Sequence, residues 1–404
     1  MKLKRRRYQI GVGGVRITPL AKRYVNRVLD SGRLTYGPFL RRFETEFARL
    51  HKRRFAVSLN SGTSALQVAV HAMKEMYGWK DGDEIIVPAL TFIATSNVVI
   101  QNNLRPVFVD IDPKTYHLDP AKIEAAVTRR TRAIMPVHVF GVSADMPPIL
   151  AIARRRKLRV IEDSCEAAFV NHRGEPVGSQ GDIACFSTYQ AHLVTTGVGG
   201  ILATNDPAIA VKARSLANHG RDSIYIAMDD DRGKRGKALA EVVDRRFSFV
   251  SIGYSYRLTE LERALGMAEL AHWKEALAKR RANAEYLLKG LAPYSAMLQL
   301  PSWPDHSEHA FMMFPIVIRD RRIKKSALTR CLETWNIETR DMLPLLNQPV
   351  YRRMFGNIEP KYPGAAWVRK NGFYIGCHPG LSRSDLLYTV AVFKEFFRRA
   401  GARR

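Results

Sequence analysis

Between Phe55 and Thr204 the chain repeats one pattern: short, largely apolar runs separated by longer stretches that mix apolar and polar residues. The runs are Phe55 to Leu59, Glu84 to Val87, Pro106 to Val109, Ala133 to Val137, Arg159 to Ile161, Ile183 to Phe186 and Ile201 to Ala203. Runs this short suit strands better than buried helices. The stretches between several of them carry helical spacing, as in Leu66, Ala69, Val70, Met73 and Tyr77. Strands alternating with helices predict an α/β fold, a mostly parallel sheet covered by helices on both faces. In such sheets ligands gather beyond the strand ends, where helices begin.

The flanking segments follow different patterns. Pro19 to Leu29 has helical spacing, SGRLTYGP breaks it, and Phe43, Phe47 and Leu50 resume it. Residues 205 to 220 read as a helix. Residues 228 to 246, rich in both charge signs, read as a surface excursion, with an active-site lid as the sharper alternative. Leu258 to Gly290 reads as one long helix leading out of the first domain. HAFMMFPIVIRD and FYIGCH then read as strands, KKSALTRCLETWN and SRSDLLYTVAVFKEFF as helices. The expected division is a large domain, 1–257, and a smaller C-terminal α/β domain, 258–404.

Composition adds limits. With 404 residues, 46 % hydrophobic and 25 % charged, the chain has the make-up of a soluble protein with a large core. No apolar run reaches the roughly 18 to 20 residues that span a bilayer. The N-terminus MKLKRRRYQI lacks the apolar centre of a signal peptide. A cytoplasmic protein without a membrane partner is expected. The formal net charge of +26 would suit nucleic acid. Its basic residues are dispersed, however, and no nucleic-acid-binding motif accompanies them, so anionic small substrates are the simpler expectation. Cys165, Cys185, Cys331 and Cys377 stand singly, as buried free thiols would, and no metal site is expected. His306 and His309 are assigned to an exposed loop.

Three stretches carry candidate chemistry. NSGTSAL puts Gly62, Thr63 and Ser64 where a strand gives way to a helix. The freed amides and two hydroxyls there can receive a phosphate dianion, although such residues ordinarily serve as caps. Asp163 ends an otherwise apolar strand, where an unpaired carboxylate would be costly. Phe186 to Gly200, FSTYQAHLVTTGVGG, joins two strands through a polar, Gly-rich turn that contains His192. Such a turn can hold a reactive side chain at the mouth of a sheet.

With VPALTFIAT and GYSYR, these stretches resemble the cofactor site of the DegT/DnrJ/EryC1/StrS family of fold-type-I pyridoxal-phosphate enzymes, over about residues 17 to 395. The resemblance implies that Gly62, Thr63, Ser64 and Ser187 hold the cofactor phosphate and that Phe92 stacks on the pyridine ring. Asp163 would pair with the ring nitrogen, making the ring an electron sink. Glu166 stands where many members have Gln or His beside the ring hydroxyl. Ser255 stands where the family usually has an Asn reaching the neighbouring subunit's phosphate, which implies a homodimer. In IETRDMLPLLNQPVY, Arg340 is expected to meet the diphosphate of a nucleotide-sugar substrate.

One position departs from the aminotransferase pattern. Those enzymes carry in the turn a lysine that forms a Schiff base with the cofactor; here the position is His192, and no lysine lies between Phe186 and Gly200. Imidazole cannot form that bond, yet it moves protons near neutral pH. The cofactor is therefore expected to be non-covalent, as pyridoxal or pyridoxamine 5'-phosphate. The resemblance then points to the family's histidine-bearing dehydratases, which remove the C3 hydroxyl of a nucleotide-linked 4-keto-6-deoxyhexose. The metal-free branch of these regenerates the amine from glutamate. Val198 stands where those dehydratases commonly have Glu. Transamination of such a sugar, or a catalytically inactive binding or regulatory role, remain the alternatives.

Overall fold

Every one of the seven apolar runs enters a single sheet in the computed structural model, which describes residues 3–224 and 230–401. The strands are β1 (Phe55–Leu59), β2 (Glu84–Pro88), β3 (Arg105–Val109), β4 (Thr131–Ile134) and β5 (Arg159–Asp163). A two-residue hairpin follows, β6 (Asn171–His172) with β7 (Glu175–Pro176), and then β8 (Ile183–Ser187) and β9 (Gly200–Thr204). The sheet order is β1-β9-β8-β5-β4-β2-β3. Neighbours from β8 to β3 run parallel, whereas β9 is antiparallel to both β8 and β1. A short connection without a crossover helix explains that reversal, because the chain can only fold straight back from β8 into β9.

Alternation along the strands covers both faces. Ile85 and Val87 enter the core that also holds the helix Gly62–Tyr77, while Ile86 enters another with Ile149 and Ile152 of the helix Met146–Arg156. Leu66, Ala69, Val70 and Met73 are buried as their spacing predicts. Tyr77 stays partly exposed, with the Arg159 guanidinium 3.9 Å above its ring.

A second sheet comprises β10 (Leu298–Gln299), β11 (Phe314–Ile318), β12 (Thr339–Asp341) and β13 (Gly372–Ile375), antiparallel in the order β10-β11-β13-β12. Phe314, Phe373 and Phe393 fill its core. The expected long helix over 258–290 is instead two, Glu260–Leu270 and Trp273–Leu291. The first packs on the helices Pro19–Ser31 and Pro38–Leu50, and the second on the closing helix Arg383–Gly401. The break lets consecutive segments serve different cores. Ile10, moreover, pairs with Ile337 and is buried in the core of the small unit. The division at 257/258 thus describes the chain only approximately.

Of the charged stretch 228–246, residues 228 and 229 lie outside the described residues. The rest contains the helix Gly236–Arg245, anchored by buried Val242 and by an Arg245–Asp222 ion pair of 2.6 Å. His309, expected in an exposed loop, is buried and stacked on Phe311 with ring centroids 3.8 Å apart. All four cysteines are free, with Cys185 and Cys377 buried. Among the described residues no helix is long and apolar enough to cross a membrane.

Candidate active site

The carboxyl ends of β1, β5 and β8 converge beside the start of β9, where Ser187 and Leu59 are both partners of Gly200. The helix Gly62–Tyr77 begins here, and Ser61 caps it by accepting the Ser64 amide at 3.0 Å. Its first turn leaves the amides of Gly62 and Thr63 without acceptors in the helix. Glycine is required at 62 because a Cβ would come within 2.8 Å of Ser187 Cβ and 2.9 Å of Cys165 Sγ. These elements enclose a cavity of about 380 Å³, lined by Gly62, Thr63, Phe92, Asp163, Glu166, Ser187 and His192. Phe92 is 58 % exposed at its edge.

Asp163 is buried at the cavity wall. Its Oδ2 accepts from Thr95 Oγ1 at 2.7 Å and its Oδ1 from the Cys165 amide at 3.2 Å. Neither donor is charged, and burial raises its pKa above the ordinary carboxylate value. A cationic group in the cavity would relieve that cost. Glu166 is also buried and accepts the Phe140 amide at 2.9 Å on Oε2. Burial, with Asp163 close by, pushes its pKa up to about 7.

His192 sits in a turn closed by its own backbone. Thr188 N–H donates to Gly199 C=O at 2.9 Å, Thr196 N–H to Thr188 C=O at 2.9 Å, and His192 N–H to Tyr189 C=O at 2.8 Å. Imidazole Nδ1 lies 2.5 Å from the Cys165 carbonyl. A carbonyl can only accept, so Nδ1 carries the proton in the neutral ring and Nε2 keeps its lone pair. Among the described residues no hydrogen-bond partner meets Nε2. Burial and the nearby Arg280 charge lower the pKa of His192 to about 4, which keeps the ring neutral near pH 7. The end of β5 and the turn that follows it thus place Asp163, the carbonyl that orients His192, and Glu166.

Three residues expected at the site lie elsewhere. Ser64 turns away from the cavity and donates to Asn60 Oδ1 at 2.6 Å, while Ser61 lines the wall instead. Ser255 is exposed outside the cavity and accepts from Arg257 Nη2 at 2.8 Å. Arg340 is exposed and ion-paired with Glu338. It is the cross-strand partner of Tyr374, which does line the cavity.

The small unit supplies walls that the motifs did not reveal: Met312, Met313, Leu343 and Tyr374. Val12 of the N-terminal arm joins them, its amide donating to Glu338 Oε2 at 2.7 Å. Thr95 was discoverable, since it stands one helical turn beyond Thr91 in the motif that supplies Phe92. The Cys165 carbonyl, a backbone group, leaves no mark in a sequence.

A mostly parallel seven-stranded sheet, a smaller antiparallel unit and a cavity between them at the strand ends define an α/β protein of the fold-type-I class. The chain belongs to the DegT/DnrJ/EryC1/StrS aminotransferase family, whose sequence profile matches residues 16–394. It is 34 % identical over 390 residues to a GDP-perosamine synthase of Caulobacter vibrioides, covering 96 % of this chain and 98 % of that one. It is 33 % identical to a dTDP-4-dehydro-2,6-dideoxy-D-glucose 3-dehydratase of Saccharopolyspora spinosa, covering 91 % and 82 %. The structure superposes with a TM-score of 0.86 on E. coli GDP-4-keto-6-deoxy-D-mannose-3-dehydratase with bound hydrated PLP, at 26 % identity, covering 95 % and 99 %.

Proposed function

We propose that this chain is a cytoplasmic enzyme that binds pyridoxal or pyridoxamine 5'-phosphate without a covalent link and removes the C3 hydroxyl of a nucleotide-linked 4-keto-6-deoxyhexose. The observation that carries the proposal is a cavity wall containing His192, with Nε2 unpaired, and no lysine among its described lining residues. The donor set fits such a cofactor. Asp163, a buried carboxylate bonded only to neutral donors, suits a protonated pyridine nitrogen. The Gly62 and Thr63 amides and the Ser187 hydroxyl suit a phosphate, with Ser64 bracing their turn from behind.

When bound, the cofactor supplies an electron sink next to the sugar ketone. The protein's own groups do the remainder. Phe92, at the cavity edge, would cover one ring face, and Glu166 would meet the ring hydroxyl. His192 Nε2 accepts a proton and returns it, and the Cys165 carbonyl keeps Nδ1 protonated throughout. Arg340, across from Tyr374, is the guanidinium offered to the substrate diphosphate. Glutamate is the amino donor expected to restore the aminated cofactor. In a homodimer, Ser255 with Arg257 behind it would face the partner's phosphate.

A second assignment, transamination of the same class of sugar, is favoured by the 34 % identity to a GDP-perosamine synthase and by Val198 in the turn. One incubation decides. The purified protein is mixed with pyridoxamine phosphate, glutamate and a GDP- or dTDP-linked 4-keto-6-deoxyhexose. Ammonia release with a 3-deoxy product supports dehydration, and nitrogen retained on the sugar supports transamination. Failure to take up the cofactor, read from the absorbance spectrum, overturns both.

A further inference from the structure

The helix Trp273–Leu291 sends Arg280 into the interior behind the cavity. Its side chain is almost fully buried, yet no carboxylate lies within ion-pairing distance among the described residues. Three backbone carbonyls satisfy it instead. Nη1 donates to Phe311 at 3.1 Å and to Met312 at 2.9 Å, and Nη2 donates to His192 at 3.2 Å. Burying a cation without a counter-ion is costly. A chain would tolerate that where the guanidinium fork holds several acceptors that nothing else could hold together.

The acceptors belong to two walls of the site. Phe311 has φ +47, in the left-handed region that costs a non-glycine residue about 1 kcal/mol. It is pinned from the other side by Gly141, where a Cβ would come within 2.9 Å of the Phe311 amide. This bend presents Met312 and Met313 to the cavity. The third acceptor is the carbonyl of His192 itself. With its N–H on Tyr189, Nδ1 on Cys165 and C=O on Arg280, His192 is fixed everywhere except at Nε2.

We propose that Arg280 is a positioning residue for His192: one guanidinium locks the turn carrying the imidazole to the bend carrying Met312. The inference rests on the reading of His192 as the working base. The titratable and charged groups around His192 are Asp163 at the end of β5, Cys165 and Glu166 from the turn after it, and Tyr189 from its own turn. From the other elements come Arg280 and Tyr374, with Glu269 close to Arg280 rather than to the ring. Arg280 is the cation among them, so its removal should ease protonation of the ring.

The test uses the full-length, cofactor-free protein with labelled histidine, followed by NMR across pH, with the His192 signal assigned by its loss in His192→Asn. In the wild type and in Arg280→Lys the ring should stay neutral with the proton on Nδ1 down to acid pH. In Arg280→Met its titration should move up by about 1 unit. If Arg280→Met fails to fold, Arg280→Gln, which keeps a donor but not the charge, takes its place. A wild-type titration in the uncharged variant overturns the proposal, as does an Arg280→Lys variant indistinguishable from it. Because no cofactor is present, failure of the protein to bind vitamin B6 would sink the proposed function and leave this test standing.

Discussion

Replacing Glu166 by glutamine should relieve the fold of a pH-dependent penalty. The carboxyl is 8 % exposed, has one backbone donor, the Phe140 amide, and has Asp163 rather than a cation for a neighbour. Its pKa rises from 4.5 to about 7. The unfolded chain gives up this proton near 4.5, while the folded chain keeps it until about 7, so the stability it contributes is complete below 4.5 and disappears as pH climbs through 7. A gap of that width corresponds to roughly 3 kcal/mol. Glutamine has the same shape, can still accept the Phe140 N–H and does not titrate. The difference in unfolding free energy between Glu166→Gln and wild type should therefore grow by roughly 3 kcal/mol in favour of the variant between about pH 4.5 and about pH 8. Urea unfolding followed by circular dichroism at several pH values measures it, with every other titrating group common to both chains. A difference that stays constant across the range would refute the argument.

Three further substitutions probe other parts of the structure. Glu260 is buried and accepts the Phe39 and Leu40 amides at 2.8 and 3.0 Å, so Glu260→Ala strands the start of the helix Pro38–Leu50 and should cost roughly 1–3 kcal/mol in urea unfolding. Asp163→Asn removes the charge proposed to pair with the ring nitrogen, and affinity for pyridoxamine phosphate, measured by fluorescence titration, should fall by roughly 10- to 100-fold. An unchanged affinity would count against that pairing. His192→Lys restores a primary amine to the turn, and borohydride treatment with pyridoxal phosphate should fix the cofactor to residue 192, visible as added peptide mass. Absence of the adduct in a folded variant would mean that the side chain does not face the cofactor.

By itself the sequence determined the elements. Short apolar runs and the polar turns between them are local properties, so all seven strands and the start of the helix at Gly62 could be read from spacing. The cluster of Asp163, Ser187 and Gly62 is what the family resemblance implies, and the sheet produces it because β1, β5 and β8 bring their carboxyl ends to one edge. Tertiary structure decided what depends on contact between distant segments. Ser64 turns from the cavity because successive helical side chains point in different directions and Asn60, one turn back, accepts its hydroxyl. The helix over 258–290 breaks at Ala271 and His272, with neither proline nor glycine to mark it, because its two halves serve different cores. The tautomer of His192 is set by the carbonyl of Cys165 and its backbone by Arg280, eighty-eight positions away. Peptide groups are alike at every residue, so which of them meets an imidazole or a guanidinium is written only in the packing.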